Sequence, residues 1–217
     1  MSTSPGETAK RIRLSPDERR TQLITLGVKM LGERAIEDIS VSEIAAQAGI
    51  SRGLLFHYFP TKQDFQLEVV RHANAELLAR VSPDPGLGLF EMLRDSVGRY
   101  IDYVSENRRS YLALLRGPAS SSPDLVGLVE QTRRAIVDII LTQVPLTEPE
   151  REQPRLVLAL RGWVAFTEET TLSWLRDETV TRDELIELLV ESLLALSMAV
   201  NPALAAALQP PDRPPSL

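Results

Sequence analysis

The sequence contains no cysteine, only two histidines and few aromatic side chains. The absence of cysteine excludes a disulfide framework and a thiolate zinc site. The chain also lacks a Gly-x-Ser-x-Gly turn, a phosphate-binding glycine loop and a His-Glu-x-x-His helix. These are the common signatures of hydrolases, nucleotide-binding enzymes and metalloproteases. An enzyme is therefore a disfavoured function, although a site made only of carboxylates would leave no such motif.

Long apolar runs are missing as well. No segment approaches the roughly twenty apolar residues that span a bilayer, and the N-terminus has no apolar signal core. We therefore expect a cytoplasmic protein without a membrane partner. With 217 residues, of which 43% are hydrophobic, the chain can form one large or two small domains.

The net charge of −6 is unevenly distributed along the chain. Residues 1–62 contain nine basic and seven acidic residues, so this part carries +2 and the remainder carries −8. A basic segment joined to an acidic one suits a DNA-binding head on a domain that DNA repels. The basic residues concerned include Lys10, Arg11, Arg13, Arg19 and Arg20. The positions of Lys10, Arg11 and Arg13 are explained equally well by a solvated, disordered N-terminal arm.

Residues 39–65 are typical of two short helices joined by a tight turn, with a third helix starting after Pro60. Ser40 and Glu43 have the spacing of a capping box, which predicts the start of the first helix. Gly49 is expected to end it, because glycine readily takes the left-handed conformation that redirects the chain. This is the pattern of a helix-turn-helix DNA-binding unit.

The second short helix is predicted to start at Ser51 and to place its first turn in the major groove. Arg52 can pair with guanine, Gly53 lets the backbone approach the duplex, and Leu54 can contact a thymine methyl group. The inward residues should be Ile44, Ala45, Ala48, Leu55 and Phe59. The predicted DNA contacts are Ser40, Ser51, Arg52, Gly53, Leu54, His57, Tyr58, Thr61 and Lys62.

Two segments, Ile44-Ala-Ala-Gln-Ala-Gly-Ile-Ser-Arg-Gly and Leu55-Phe-His-Tyr-Phe-Pro-Thr-Lys, resemble the signature of the tetracycline-repressor (TetR) family of bacterial transcription regulators. The resemblance extends over about residues 15–70. It implies an all-α fold in which a helix-turn-helix head precedes a helical domain that binds an effector and dimerises. It also implies a repressor that binds a pseudo-palindromic operator as a homodimer. The alternative is an architectural or adaptor DNA-binding protein without an effector.

The chain is expected to divide into a disordered arm (1–14), a DNA-binding head (15–62), an effector-binding and dimerisation domain (63–200) and a flexible tail (201–217). Ser15 followed by Pro16 predicts the start of the first helix, and Thr61 predicts the start of a helix that ends near Val81. Further helices are predicted over about 87–106, 109–116, 123–144, 148–177 and 181–199. No segment alternates at period two, so no strand is predicted.

The helices between residues 87 and 177 contain aromatic and polar side chains that can line a cavity for a small, largely apolar effector. The candidates are Tyr100, Tyr103, Tyr111, Trp163, Phe166, Thr167, Thr170 and Trp174. Ordinary core packing is the alternative for the aromatic residues, and Glu168 and Glu169 are expected to be solvated. The effector itself is unknown, and no cofactor is predicted.

The last two long helices offer more apolar surface than a small core requires. In the family that this chain resembles, these helices pair with their symmetry mates in a dimer. The interface residues predicted on this basis are Leu172, Leu175, Leu185, Leu189, Leu193 and Leu196. The alternative is that these leucines form the core of a single chain.

Overall fold

The computed structural model describes residues 14–209, apart from the side chains of Pro118 and Ala119. The arm predicted for residues 1–14 therefore lies almost entirely outside the described residues. Within the described range the chain is helical and contains no strand, which confirms the predicted all-α class. The α-helices are α1 (Pro16–Glu33), α2 (Val41–Gln47), α3 (Arg52–Tyr58), α4 (Lys62–Arg80), α5 (Leu89–Glu106), α6 (Arg108–Arg116), α7 (Pro123–Gln143), α8 (Glu148–Arg151), α9 (Pro154–Asp177), α10 (Arg182–Val200) and α11 (Pro202–Ala207). Among them, none combines the length and the apolar character needed to cross a bilayer.

Three long helices start at side-chain caps that the sequence predicts. Ser15, Thr61 and Thr181 precede α1, α4 and α10, and each accepts a hydrogen bond from the amide three residues later. In each case the acidic residue at that third position bonds back to the amide of the capping residue. Both free amides are thereby satisfied, which fixes where the helix begins.

Two predicted segments differ from the structure. The single helix expected over 148–177 is interrupted, because Pro154 lacks an amide hydrogen and is therefore accommodated at the first position of a new helix, α9. The tail expected to be flexible from residue 201 instead forms α11, capped by Asn201. Leu204 and Leu208 are buried in the main core, which gives α11 a stabilising contact that the sequence pattern did not show. The prediction for residues 210–217 lies outside the described residues.

The described chain has two hydrophobic cores that meet along α4. The head core contains the inward residues predicted for α2 and α3, together with Phe65, Val69 and Val70 from the start of α4. Leu77 and Val81 at the other end of that helix belong to the larger core formed by α5, α7, α9, α10 and α11. The boundary predicted after residue 62 therefore precedes the three residues of α4 that belong to the head core. Helix α7 also contributes to the head core, through Leu125 and Leu128.

Candidate nucleic-acid interface and ligand cavity

The turn between α2 and α3 has a conformation that glycine permits. Gly49 has a φ of 66°, in the left-handed region. Its amide donates to the carbonyl of Ala46 at 3.1 Å, and the amide of Ile50 donates to the carbonyl of Ala45 at 2.9 Å. These two bonds form a Schellman motif, which satisfies the last carbonyls of α2 and redirects the chain. The prediction that Gly49 ends the helix is confirmed.

Helix α3 presents its first turn to solvent and its opposite side to the core. Ser51 Oγ accepts a hydrogen bond from the amide of Leu54 at 3.2 Å, so the predicted cap is present. Arg52 and Gly53 are exposed, Leu54 is 40% exposed, and Leu55 is fully buried. No hydrogen bond or ion pair ties the Arg52 side chain to the rest of the described chain. The first turn is therefore free to approach base edges, although its contact with DNA remains a prediction.

Ser40 precedes α2 without forming the predicted capping box. Glu43, which that box requires, instead accepts two hydrogen bonds at 3.0 Å from the guanidinium of Arg34. A bidentate charged partner binds a carboxylate more strongly than a single neutral amide does, so the cap is lost. The prediction of a capping box was wrong. Ser40 itself is exposed and remains a predicted DNA contact.

The other predicted DNA contacts lie at the end of α3 and the start of α4. The Thr61 hydroxyl donates to Asp64 Oδ2 at 2.8 Å and accepts from the Asp64 amide at 3.0 Å, so capping occupies it. Lys62 is exposed, and its Nζ donates at 2.8 Å to a main-chain carbonyl of the head. His57 is exposed and packs edge-to-face on the half-buried ring of Tyr58. Lys62 and His57 are thus exposed and, unlike Thr61, take no part in capping.

Two of the basic residues of the head, both arginines, have side chains that bond to other residues of the head. Arg20 pairs with Glu68 at 2.7 Å and lies over the ring of Phe59, and Arg19 donates to the carbonyl of Ala48 at 3.4 Å. Their charge still contributes to the field of the head, but their side chains stabilise its packing. Lys10, Arg11 and Arg13 lie outside the described residues.

A cavity lies between α5, α7, α9 and α10, next to the segment that follows α4, and its space is about 830 Å³ when the solvent in its open mouth is included. Its wall is almost entirely apolar and includes Met92, Ile136, Ile140 and Leu193. Leu208, which follows α11, also lines it. Sites for small molecules usually have this character, with a few polar groups that orient the ligand.

Three of the predicted ligand residues, Tyr100, Trp163 and Thr167, lie in the cavity wall. Phe166 and Thr170 do not line it. By helical spacing Phe166 lies on the opposite side of α9 from Val164 and Glu168, whereas Thr170 lies on the side of Trp163 but two turns further along the helix. Phe166 is instead 41% exposed, and Thr170 is half-buried. The sequence could place these side chains on α9 but could not say which side of the helix the cavity would occupy.

The remaining predicted ligand residues have other partners and also lie outside the wall. The Tyr103 hydroxyl donates to a main-chain carbonyl of α4 at 3.0 Å, and Trp174 Nε1 donates to a carbonyl after α9 at 2.7 Å. Tyr111 shares a hydrogen bond of 3.2 Å with the hydroxyl of Tyr100 and so supports the wall from behind. Burial raises the pKa of both hydroxyls in that pair, which therefore stay protonated.

Glu168 is a member of the cavity wall that the sequence did not reveal. It is 9% exposed, and Arg133 on α7 donates to its Oε2 from Nε at 2.9 Å and from Nη2 at 2.6 Å. Burial raises the pKa of the Glu168 carboxyl, and the guanidinium opposes that rise. The expectation that this residue is solvated was wrong, since its partner lies on a different helix and leaves no local signal. Glu169 is exposed, as expected.

The predicted dimer leucines form the core of the single chain. Five of the six are buried, and Leu196 is half-buried. The buried residues are Leu172, Leu175, Leu185, Leu189 and Leu193. The width of the apolar stripes on α9 and α10 predicts an interface, yet packing of these helices on each other and on α5 buries these leucines within the single chain. This interface assignment was wrong for the five buried residues.

A different apolar surface remains exposed on the same two helices. Its members, which we call the apolar face, are Leu158 and Phe166 on α9 and Leu188 and Met198 on α10. Leu158 and Met198 are 72% and 73% exposed. Gly162, between the two α9 residues, is also exposed. Large apolar side chains grouped in this way usually mark an interaction surface.

The glycine turn, the exposed first turn of α3 and the packed head define a helix-turn-helix DNA-binding protein. Comparison with known families is more specific. The profile for bacterial regulatory proteins of the tetR family matches residues 23–69, and that for the tetracyclin repressor-like C-terminal domain matches residues 89–196. A solved tetR-family transcriptional regulator from Streptomyces coelicolor is 34% identical, with 93% of this chain and 94% of that chain covered and a TM-score of 0.78. The chain belongs to the TetR family of DNA-binding transcriptional regulators and is not an enzyme.

More distant similarities are also to transcriptional regulators. The HTH-type transcriptional activator FasR of Mycolicibacterium smegmatis is 23% identical over 182 residues, which is 81% of each protein. The transcriptional regulator FadR from Bacillus subtilis, solved in complex with stearoyl-CoA, is 18% identical, with 83% of this chain and 97% of that chain covered and a TM-score of 0.58.

Proposed function

We propose that the protein is a cytoplasmic repressor that binds a pseudo-palindromic operator as a homodimer and is released by a small, largely apolar effector. The observation that carries this proposal is the position of α7. Leu125 and Leu128, near its start, belong to the head core, whereas Ile136 and Ile140, further along, line the cavity. One rigid element thus contacts both the DNA-binding head and the ligand site, so a ligand that shifts α7 also shifts the head.

A ligand can shift the head only if it binds the protein more tightly in one head position than in the other. A ligand that binds both states equally leaves the equilibrium between them unchanged. The same fold in Bacillus subtilis FadR was solved with stearoyl-CoA, so it is able to accommodate a molecule with a long apolar chain. To test the proposal, operator sequences are selected from a random duplex pool, and operator affinity is measured by fluorescence anisotropy during titration with apolar ligands. Ligands that demonstrably bind the protein but never change operator affinity would contradict the effector mechanism.

Selection also tests the dimer geometry, because two heads on a twofold axis read two inverted half-sites. We expect the selected duplexes to contain an inverted repeat, and a non-palindromic consensus would count against the proposal. Since FasR is named an activator, the direction of regulation is measured separately, by transcription from a promoter that carries the selected operator.

Arg52 and Lys62 are expected to contribute differently to DNA binding. Arg52→Ala should remove about 1–3 kcal/mol of preference for the correct base at one position of each half-site, if the guanidinium contacts guanine. Lys62→Ala should weaken all sequences alike and reduce the salt dependence by about one charge, because a phosphate contact carries no base information. Affinities for the selected and single-base-changed duplexes at several salt concentrations distinguish the two. An Arg52→Ala variant with unchanged base preference would refute this assignment.

The apolar face is the surface that we propose for the dimer. α9 and α10 run antiparallel, as shown by the bonds from Arg155 to the carbonyl of Ala199 and from Trp163 to that of Leu189. Leu158 therefore lies near the end of α10 that contains Met198. Two such helix pairs, related by a twofold axis, would bury their exposed apolar side chains against each other.

Gly162→Glu is expected to convert the dimer into monomers. A Cβ at this position meets nothing within 4 Å in the single chain, so the substitution is tolerated there, but a buried carboxylate in the interface would lack a partner. Sedimentation velocity measures the effect. The matched control is Gly127→Glu, at an exposed glycine of α7 where a Cβ also meets nothing within 4 Å, which should remain dimeric. A wild-type protein that sediments as a monomer, or a dimeric Gly162→Glu variant, would refute the interface.

A further inference from the structure

Several polar residues line the cavity, and three of them can bind the polar group of a ligand. Tyr100, Thr167 and Glu168 all line the cavity, and we call them the polar end. Thr167 and Glu168 are adjacent on α9, and the Tyr100 hydroxyl on α5 shares a hydrogen bond of 3.2 Å with Tyr111. The remaining wall is largely aliphatic. Ser96 and Gln143 are the other polar residues of the wall, so a ligand that fills the cavity lies mostly against hydrocarbon, with a few hydrogen-bonding groups beside it.

Thr167 has a hydroxyl without a partner at this end. The residue is 7% exposed, and its Oγ1 is buried and makes no hydrogen bond within the described chain. A buried hydroxyl without a partner is unfavourable, and native structures rarely retain one without a reason. Because Thr167 lies in the cavity wall, a ligand is able to supply the missing partner. Thr171, one helical turn later, has the same unpartnered hydroxyl but does not line the cavity.

The charges around the polar end balance. Glu168 accepts two charge-assisted bonds from Arg133, which also pairs with Glu130 at 2.6 Å, and Glu130 in turn pairs with Arg161 at 3.2 Å. Two carboxylates therefore face two guanidinium groups, and no net charge is left for a ligand to neutralise. Both bonds from Arg133 to Glu168 end on Oε2, so Oε1 retains its own capacity to accept a hydrogen bond.

We propose that the cavity binds an uncharged molecule with a hydrocarbon chain and a terminal hydroxyl or amide group, which accepts a hydrogen bond from Thr167 and donates one to Glu168. This assignment rests on the proposed effector function and specifies its ligand class. A carboxylate would meet the charge of Glu168, and an ammonium ion would bring a positive charge next to Arg133. Either would introduce an unbalanced charge into an apolar cavity, which is strongly unfavourable.

The test compares three probes with the same chain: octan-1-ol, octanoate and octylammonium, at neutral pH. Trp163 lines the cavity and Trp174 does not, so binding is followed through intrinsic fluorescence, with a Trp174→Phe variant to isolate the first signal. Octan-1-ol is expected to bind at least about tenfold more tightly than either ion, because only the ions must be desolvated into a site without a free counter-charge. An octanoate or octylammonium affinity equal to that of octan-1-ol overturns the ligand class but leaves an effector site in place.

Thr167→Val should weaken octan-1-ol binding by about two- to tenfold, because it removes one hydrogen bond at nearly constant shape. The matched control is Thr171→Val, which deletes an equivalent hydroxyl on the same helix away from the cavity and should leave the affinity unchanged. Circular dichroism shows whether both variants remain folded. An unchanged affinity in Thr167→Val, or an equal loss in both variants, refutes the polar end as the binding group. If none of the three probes binds, the ligand class proposed here is refuted, whereas the effector function is tested separately by the operator titration and DNA binding by the selection of operators.

Discussion

Arg133→Met is expected to destabilise the protein by about 3 kcal/mol near neutral pH, since removing one partner of a buried ion pair leaves the other charge without compensation. The charge left behind is Glu168, whose side chain is only 11% exposed. Glu130, the second partner of Arg133, keeps its bond to Arg161 and should matter less. Urea denaturation followed by circular dichroism measures the change in the free energy of unfolding.

Arg182→Met provides the control for this prediction. Arg182 forms two bonds of 2.7 Å to Asp102, but both side chains are more than 40% exposed. Exposed pairs usually contribute less than about 1 kcal/mol, so this variant should lose far less stability. The double variant Arg133→Met with Glu168→Leu should recover much of the loss, because neither buried charge remains. Equal losses for the two single variants would contradict the special role of the buried pair.

The effect of Arg133→Met should also depend on pH. Burial raises the pKa of Glu168 in the folded protein, so its ionised form opposes folding above that pKa and the penalty is relieved as the pH falls through it. Without Arg133, which lowers that pKa, the penalty at neutral pH is larger. The difference in stability between the variant and the wild type should therefore shrink as the pH is lowered from neutral, because the carboxyl of the variant then takes up a proton.

The parts of the fold that the sequence predicted correctly depend on short-range bonds. The caps at Ser51 and Thr61, and the turn at Gly49, are each completed by amides or side chains within four residues, so their signals are local. The capping box predicted at Ser40 is absent because the competing contact is not local. Its capping partner Glu43 is taken by Arg34, which is nine residues away and belongs to the loop after α1.

The site residues that the sequence missed depend on contacts between distant helices. The pairing of Glu168 with Arg133 connects α9 with α7 across 35 positions. Likewise, the apolar pattern of α10 indicates that its leucines are buried, but not whether another helix of the same chain or a second copy buries them. The buried position of Leu193 and the exposed position of Leu188 follow from how α9, α10 and α5 pack. The helical period alone contains no information about that choice.

Gly27→Ala is expected to destabilise the protein, because Gly27 lies where α1 packs closely on α4. A Cβ at Gly27 would lie 2.8 Å from Phe65 Cζ and would also overlap Val69 Cγ2, and both of these side chains are fully buried. Relieving this overlap requires α1 to move away from α4, which costs about 1–3 kcal/mol and outweighs the better helix propensity of alanine.

Because these two helices also support α2 and α3, Gly27→Ala should displace the first turn of α3 and lower operator affinity by about tenfold or more. Urea denaturation and fluorescence anisotropy with the selected operator measure the two effects. Gly127→Ala is the matched control, at an exposed helical glycine where a Cβ meets nothing within 4 Å. It should stabilise the protein by about 0.5–1 kcal/mol, because alanine loses less backbone entropy on folding. If Gly27→Ala is stabilising to the same extent, close approach of α1 to α4 does not determine the geometry of the head.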